Sequence, residues 1–467
     1  MAAKMLFMLF LILFSLQSAR YKEFTGEKTC QAQAEITSPL FLQSKNWPSF
    51  RGANASGFIE GQNIPLHWDI ETAQNIKWKI NIPGLGHSSP IIWEDKLFLT
   101  TSVRRDSISN LDLDAYRTIS HNDHSEHSWL VYCIDKNSGK VFWKRTAHAG
   151  APKVGRHPKG TQANSTPVTD GKHVVVLFGA EGLYCYSLEG ELFWKKTIGY
   201  LDSGYYADHK IQYGHASSPI IYKNSVIVQA DKSNDSFIAA YRLKDGKQLW
   251  KTPRNVHPSW STPTVYESSE QTVVVANGGN YIIGYKPING QEVWRLLNSW
   301  FGAIPSPVVT RDLIILCNTP GQPIYAIKGN ARGDLSHADS STSNTFIKWS
   351  QLKGGSYIPT PIVYGDYFYV CGHNGVVSVY DLESGQRLNR KRLGGQGRGY
   401  RFSASPVAAG GFLYFFSEDG IVFVVEANPG LKTFAENELS EIIMASPAIS
   451  EHHLYIRSQN HLWSISE

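Results

Sequence analysis

Short apolar segments, each introduced by a Ser-Pro or Thr-Pro step, recur along most of this chain. In the stretch from Ser217 to Trp250, the segments SSPIIY, NSVIVQA and SFIAAYRL are rich in β-branched and aromatic residues, and a Lys-Asp-Gly turn precedes KQLWKT. Proline is tolerated at the first residue of a strand, and glycine supplies the positive φ that a short hairpin needs. The pattern therefore predicts a unit of four short strands.

The unit repeats around the chain. The Ser/Thr-Pro step always precedes an apolar run, and its intervals of 41 to 77 residues centre on a basic period near 44. The prolines are Pro90, Pro167, Pro219, Pro263, Pro307, Pro361, Pro406 and Pro447. A Gly-x-x-x-Trp ending closes the units at Trp143, Trp194, Trp250 and Trp294, and Trp349 lacks the glycine. A period of about 40–50 residues with four strands per unit is typical of a β-propeller blade.

The two ends of the repeat region predict how the ring closes. Trp78 precedes Pro90 by 12 residues, the usual spacing between an outer-strand tryptophan and the next proline, but no inner strands come before it. The last unit, from Ser446, stops before an outer strand. We therefore predict that Ile76–Ile80 supplies the missing strand. The expected fold is all-β: an eight-bladed propeller of four-stranded antiparallel blades, closed by an N-terminal strand with no long free edge.

Residues 1–19 have a different character. Lys4 precedes an apolar run from Met5 to Leu16, which predicts a secretory signal peptide, with an uncleaved anchor as the alternative. Residues 20–45 are interpreted as a tether and residues 46–467 as the propeller. We accordingly expect an exported protein, periplasmic or extracellular, whose mature chain has no transmembrane span.

Composition narrows the classes of partner. A net charge of +5 is small for 467 residues and gives no reason to expect a nucleic-acid partner. The 13 tryptophans suit repeated packing between blades, and the length fits a single propeller, expected as a monomer. Of the five cysteines, Cys133 and Cys185 occupy equivalent repeat positions, as do Cys317 and Cys371. We predict buried free thiols.

The lead-in Trp47–Gly52 (WPSFRG) and the unit ending Asp135–Trp143 (DKNSGKVFW), together with the Ser-Pro starts, resemble the pyrroloquinoline-quinone-type propeller repeats. That superfamily includes the quinoprotein alcohol dehydrogenases and the assembly factor BamB. Over residues 46–467 the chain is most similar to exported bacterial PQQ-binding-like β-propeller repeat proteins. The resemblance implies the fold and leaves the function open, because function resides in sites added to folds.

The resemblance also raises the question whether this chain binds a quinone cofactor. Quinoprotein alcohol dehydrogenases typically hold their quinone against a disulfide of adjacent cysteines, stack it on a tryptophan and bind Ca²⁺ nearby. This sequence has no adjacent cysteine pair and no Cys-x-x-Cys-His haem motif. Trp260, just before a Thr-Pro step, is the candidate stacking residue. We expect no cofactor and favour a binding or scaffold propeller; a quinone- or metal-dependent oxidoreductase and an assembly-factor-like subunit are the alternatives.

Insertions indicate the functional face. Loops between strands two and three of a blade lie on the same face as the inter-blade connections, and we call this the upper face. Val103–Ser128, Thr146–Gln162 and Ile198–Tyr213 all map to it, over blades 1–3, whereas Gly329–Asn344 maps to the opposite, lower face and reads as a flexible loop. Variable loops on a rigid scaffold are a common location for binding sites.

The upper-face insertions carry many histidine, tyrosine and carboxylate side chains. Such residues suit a protein segment or a polar small molecule such as a saccharide, since tyrosine combines contact area with a directional hydroxyl. The spacing His121-x-x-His124-x-x-His127 matches neither a helical zinc site nor strand alternation, so no metal site is predicted. The candidate ligand-binding residues are His87, His121, His124, Asn164, Asp202, Tyr205, Tyr206, Asp208, His209 and His215.

Overall fold

A computed structural model describes residues 45–106, 111–115, 120–298, 302–319, 321–336, 344–395 and 399–467. These residues form 33 β-strands, arranged as eight sheets, and two 3₁₀ turns, Ala53–Ala55 and Gly179–Glu181. No described helix is long and apolar enough to cross a membrane. The predicted signal peptide and nearly all of the predicted tether lie outside the described residues.

The first four blades follow the closing strand β1 (Ile76–Asn81) in chain order. Their strands are, for blade 1, β2 (Ile91–Trp93), β3 (Lys96–Arg104), β4 (His127–Asp135) and β5 (Val141–Gly150); for blade 2, β6 (Val168–Thr169), β7 (His173–Leu177), β8 (Leu183–Ser187) and β9 (Leu192–Lys196); for blade 3, β10 (Ile220–Tyr222), β11 (Ser225–Ala230), β12 (Phe237–Arg242) and β13 (Gln248–Pro253); and for blade 4, β14 (Thr264–Glu267), β15 (Thr272–Ala276), β16 (Asn280–Tyr285) and β17 (Glu292–Asn298).

The last four blades repeat this order. Their strands are, for blade 5, β18 (Val308–Val309), β19 (Leu313–Leu316), β20 (Ile324–Lys328) and β22 (Ile347–Gln351); for blade 6, β23 (Ile362–Tyr364), β24 (Tyr367–Cys371), β25 (Val376–Asp381) and β26 (Arg387–Arg392); for blade 7, β27 (Val407–Ala409), β28 (Phe412–Phe416), β29 (Ile421–Glu426) and β30 (Thr433–Glu438); and for blade 8, β31 (Ala448–Ser450), β32 (His453–Arg457) and β33 (His461–Ile465), completed by β1.

The predicted closure and blade count are confirmed. Strand β1 pairs antiparallel with β33, with Lys79 opposite Trp463. The indole of Trp78 donates to the carbonyl oxygen of Lys136 in blade 1, with an N–O distance of 3.0 Å. One blade departs from the prediction, because the short strand β21 (Gly333–Asp334) adds to β17 in parallel and gives blade 4 a fifth strand. Part of the predicted lower-face loop, Gly333–Asp334, is therefore a strand paired with blade 4.

The Gly-x-x-x-Trp ending is explained by contacts between neighbouring blades. Trp143 of blade 1 donates from its indole to Leu188 O of blade 2 at 2.8 Å, and the ring lies where a side chain at Gly190 would have to sit. Gly190 also has a φ of +83°, which favours glycine. In blade 5, where the glycine is missing, the indole nitrogen of the preceding Trp294 is buried without a partner among the described residues.

The Ser/Thr-Pro steps form a ring of hydrogen bonds around the channel. At seven of the eight joins, the amide of the Ser or Thr in one blade donates to the hydroxyl of the corresponding residue in the next. The seven bonds run Ser89–Thr166, Thr166–Ser218, Ser218–Thr262, Thr262–Ser306, Ser306–Thr360, Thr360–Ser405 and Ser405–Ser446, at 2.9 to 3.2 Å. At the eighth join, between blades 8 and 1, the Ser89 hydroxyl is buried and has no partner among the described residues.

The aromatic lead-in closes the lower end of the channel. Trp47 exchanges two backbone hydrogen bonds with Ile92 in blade 1, and the Gly57 carbonyl accepts from Ala408 in blade 7. Between them, the buried Arg51 reaches the starts of blades 6 and 7. The lead-in thus crosses the channel. The upper end is thereby left as the accessible end.

The cysteines are packing residues, as predicted. Cys133, Cys185, Cys317 and Cys371 are buried free thiols. Burial raises the pKa of Cys133, Cys185 and Cys317 to about 12, and that of Cys371 is also raised. Such thiols stay protonated and unreactive at neutral pH. Cys30 lies outside the described residues.

Candidate functional site

The three upper-face insertions meet one another. His121 and Arg156 exchange two backbone hydrogen bonds, at 2.7 and 3.1 Å, which join the first insertion to the second. The second joins the third through His157, whose amide donates to Tyr213 O at 3.1 Å. The first two insertions are shorter than predicted, because the flanking strands are longer. Strand β3 continues to Arg104, β4 begins already at His127, and β5 continues to Gly150.

The joined insertions also reach across the mouth of the channel. Lys159, in the connection between blades 1 and 2, forms a 2.8 Å ion pair with Glu418, a buried carboxylate in blade 7. Arg401, before blade 7, donates to Leu113 O in the first insertion at 2.6 Å. The insertions therefore cover part of the upper channel as well as presenting a surface above it.

Two short rows of aromatic rings lie on this surface. Tyr205 packs edge-on against Tyr206, with ring centroids 5.0 Å apart, and Tyr206 packs against His257 at 5.6 Å. In the second row Tyr213 lies between His157 and Trp260, at 5.2 and 6.0 Å. We call these six residues the aromatic rows. All are half-buried, so they present partly exposed rings held by neighbouring connections.

Two of the candidate histidines line the channel rather than the surface. His87 donates from Nε2 to Lys159 O at 2.7 Å, and burial lowers its pKa to about 4. Burial likewise lowers the pKa of His215 to about 4, and its ring nitrogens have no hydrogen-bond partner among the described residues. Both rings are therefore neutral at physiological pH.

The remaining candidates divide between structural and exposed positions. Asn164 has a structural role. Its side-chain oxygen accepts from Thr161 and its side-chain nitrogen donates to His215 O at 3.2 Å, which links two inter-blade connections. Asp208 caps a turn by accepting from the Lys210 amide at 3.0 Å. Asp202 is half-buried, and its carbonyl accepts from Ser233 at 2.9 Å. His121, His124 and His209 are exposed.

A buried polar chain lies beneath the first insertion and was missed by the sequence reasoning. His127 accepts or donates at Nδ1 with the Ser102 hydroxyl at 2.8 Å, and its Nε2 lies 3.0 Å from the Asp123 carboxylate. All three residues are buried, and Trp129 packs on the imidazole. The signal was the i,i+4 pair of Asp123 and His127 at the start of β4. This burial indicates a support for the insertion.

The described residues do not fit a quinone and calcium site of the kind found in quinoprotein alcohol dehydrogenases. They contain no adjacent cysteine pair, and no group of three or more His, Cys, Asp or Glu side chains converges in a way that could hold a metal ion. Trp260 is itself held in place, since its indole donates to Gly214 O at 2.7 Å.

The ring of Ser/Thr-Pro hydroxyls, the Gly-x-x-x-Trp joins and the eight-bladed closure together define a propeller of the PQQ-repeat class. Residues 127–299 and 234–467 match the sequence family described as outer membrane protein assembly factor BamB. The chain belongs to this family. A curated relative, the outer membrane protein assembly factor BamB of Shewanella oneidensis, is 20% identical over 225 residues, which cover 47% of this chain and 53% of that protein. The match thus spans about half the length of the relative.

Solved structures show the same fold. A europium-containing methanol dehydrogenase aligns with a TM-score of 0.64 at 10% identity, covering 92% of this chain and 99% of that one. Quinohemoprotein alcohol dehydrogenase from Comamonas testosteroni gives 0.60 at 10% identity, over 92% and 81% of the two chains. BamB from Moraxella catarrhalis gives 0.52 at 13% identity, over 79% and 97%. At these identities the likeness concerns the fold alone.

Proposed function

We propose that this chain is an exported binding propeller, acting in the periplasm or outside the cell, whose upper face over blades 1–3 recognises a segment of a partner protein or a polar ligand. The observation that carries the proposal is the convergence of three insertions into one surface that presents the aromatic rows. The blades beneath hold this surface rigidly, and a preorganised surface loses less entropy on binding.

The chemistry of the surface suits such a ligand. Tyr205 and Tyr206 each present a half-buried ring and a hydroxyl, so they can cover apolar area and also direct a hydrogen bond. His121 and His124 add exposed polar groups on the first insertion. Because the lead-in fills the lower end of the channel, the upper face is the end of the channel at which a ligand can approach.

A second candidate function is supported by family membership. The family and the Shewanella relative carry the name of an outer membrane protein assembly factor. A role as a subunit of a similar assembly, holding a protein partner on the propeller, is therefore the specific form of the proposal to test first.

The test compares capture of partners from envelope extracts by the intact protein and by a Tyr205→Ala/Tyr206→Ala variant. We expect the variant to lose the captured partner by tenfold or more, with a melting temperature within a few degrees of the original. Ile288→Ala is the matched control, because Ile288 is a large apolar side chain that is 82% exposed on a lower-face hairpin. The intact protein and the same two variants are also tested on saccharide and peptide arrays, which detect binding of a saccharide or a short peptide.

One result would contradict the assignment of the site to the upper face. Capture that survives the tyrosine changes but fails on removal of residues 329–344 would place the site on the lower face. Quinone-dependent dye reduction by purified protein supplied with pyrroloquinoline quinone and Ca²⁺ would favour an oxidoreductase instead.

A further inference from the structure

The join between blades 8 and 1 differs from the other seven joins. It lacks the hydroxyl bond that links the others, and it concentrates buried polar atoms without partners. The Ser89 hydroxyl, the Thr100 hydroxyl and two nitrogens of Arg457 have no hydrogen-bond partner among the described residues. Buried polar groups are nearly always hydrogen-bonded, so a cluster of exceptions calls for an explanation.

Arg457 is the charged member of this cluster. It ends β32, and only 1% of the residue is exposed. Its Nη1 donates to Thr100 O in blade 1, whereas Nε and Nη2 lack partners. No carboxylate of the described residues forms an ion pair with it, and burial lowers its pKa to about 9. A buried charge without a counter-ion is costly, and an anion beside it relieves that cost.

The free atoms of Arg457 form one edge of the guanidinium. Elsewhere in this chain the Nε and Nη2 edge binds a carboxylate with both atoms. Arg254 does so with Asp231, at 2.6 and 3.1 Å in the interior, and Arg295 and Arg242 do so with Glu292 and Asp245 near the surface. This two-point geometry matches the two oxygens of a carboxylate. Arg457 presents the same edge with the carboxylate missing.

A pocket gives access to this arginine from the upper face. The space beside Arg457 amounts to about 230 Å³ when the open solvent at its mouth is counted, and only a small part of it is enclosed. Its lining includes Gly86, His87, Met444, Arg457, Ser458 and Gln459. Gly86 is needed there, because a β-carbon at this position would lie 2.7 Å from Nη2 of Arg457. The enclosed part of the pocket is small and its lining is largely polar, with Ser458 and Gln459 following Arg457, which favours a single carboxylate group over a large polyanion.

We propose that the pocket between blades 8 and 1 is a carboxylate-binding site, in which the free edge of Arg457 holds both oxygens of the anion. The ligand class is a small monocarboxylate or a ligand that inserts a single carboxylate. This site is separate from the aromatic rows, so it does not depend on their binding function.

The test uses acetate and formate as probes on the full protein. Thermal unfolding and calorimetry are compared in sodium acetate, sodium formate and sodium chloride at equal ionic strength. We expect both carboxylates to raise the melting temperature above the chloride value, because a ligand that binds only the folded state stabilises it. Arg457→Met should weaken acetate binding at least tenfold.

Two further variants separate binding from folding. Gly86→Ala keeps the charge but displaces the guanidinium, so it should weaken acetate binding like Arg457→Met. Arg242→Met removes an exposed, paired arginine and should leave acetate binding unchanged. Tyr205→Ala/Tyr206→Ala should also leave it unchanged, so failure of the upper-face proposal remains distinguishable from failure of this one.

Three results would overturn the proposal. Equal stabilisation by acetate and chloride would mean that water alone fills the pocket. Stronger stabilisation by sulfate or phosphate than by either carboxylate would assign a different anion. Unchanged acetate binding by a folded Arg457→Met protein would place any carboxylate site elsewhere.

Discussion

Arg51 and Arg457 are both buried, one in the lead-in and one at the end of β32, yet their surroundings differ. At the lower end Arg51 uses all its nitrogens: Nε donates to Ala55 O at 3.2 Å, and Nη1 and Nη2 donate to carbonyls of residues 360, 361 and 406 at 2.9 to 3.3 Å. Arg457 has one hydrogen-bond partner among the described residues, Thr100 O. Burial lowers the pKa of each to about 9.

Burial of a charge does not by itself mark a binding site. Arg51 is a structural cation, because the chain supplies a full set of acceptors and uses it to fasten the lead-in to blades 6 and 7. Arg457 is buried to the same extent, and its Nε and Nη2 have no hydrogen-bond partner among the described residues. The unfilled hydrogen-bonding capacity is therefore what distinguishes a binding group from a structural one.

Loss of the closing strand is expected to have the largest effect. Deleting residues 1–82 removes both the lead-in with Arg51 and the closing strand, which pairs with β33 from Ile76 to Asn81. The ring would then have an open edge at blade 8, so we expect the protein to unfold or aggregate. Circular dichroism and size-exclusion chromatography measure this.

The matched control is deletion of residues 1–40, which keeps every described residue and should melt like the full chain. A truncated protein beginning after residue 82 that melted at the original temperature would contradict the closure by β1.

Replacing each arginine by methionine tests directly whether Arg51 and Arg457 differ in their contribution to stability. Arg51→Met leaves several buried carbonyls without a donor, at about 1–3 kcal/mol for each unsatisfied group, so we expect a loss of at least about 2 kcal/mol in the free energy of unfolding. Arg457→Met removes a buried charge with a single partner, and we expect a change within about 1 kcal/mol of either sign. Urea unfolding without carboxylate buffers measures both. Equal losses for the two variants would show that the two sites do not differ.

The sequence predicted the fold well because each repeat residue has its role within the join between neighbouring blades. A hydroxyl before a proline and a glycine four residues before a tryptophan recur wherever a join recurs, so their period revealed the blade count and the closing strand. The face of the insertions followed from strand order. The fifth strand of blade 4 was not predictable, because Gly333–Asp334 pairs with a neighbouring blade and carries no strand pattern of its own.

The details of the sites depended on contacts between loops and blades. The pairing of Ser102 with His127 arises from β3 and β4 extending beyond the repeat length, which no motif indicates. Arg457 did leave a signal in the repeat. In every blade except the fourth, whose first hairpin is longer, the position ten residues after the repeated proline holds Thr100, Leu177, Gln229, Cys317, Cys371, Phe416 or Arg457. A single charged residue in a buried repeat position indicates a special role.

A smaller effect concerns pH at the upper end. Burial lowers the pKa of both His87 and His215 to about 4. The positive charges of Arg457, Arg156 and Lys159 also lower the pKa of His87. The charge of Asp231 raises the pKa of His215 and so acts against its burial. An unfolded histidine titrates near 6.5, so between about pH 6.5 and 4 the unfolded chain binds more protons than the folded one. Stability should therefore fall as the pH is lowered through this window and be unaffected by these groups above it.

The expected size is about 1 kcal/mol for each histidine at pH 5.5 relative to pH 7.5. Urea unfolding at the two pH values, in buffers free of carboxylates, measures it. Because glutamine stays neutral and can still donate to Lys159 O, His87→Gln and His215→Gln should each remove about that much of the pH dependence, whereas the exposed His209→Gln should remove none. If the loss of stability at pH 5.5 persisted in full in a variant that carries both His87→Gln and His215→Gln, carboxylates elsewhere in the chain would be its source, and the two buried histidines would not contribute to it.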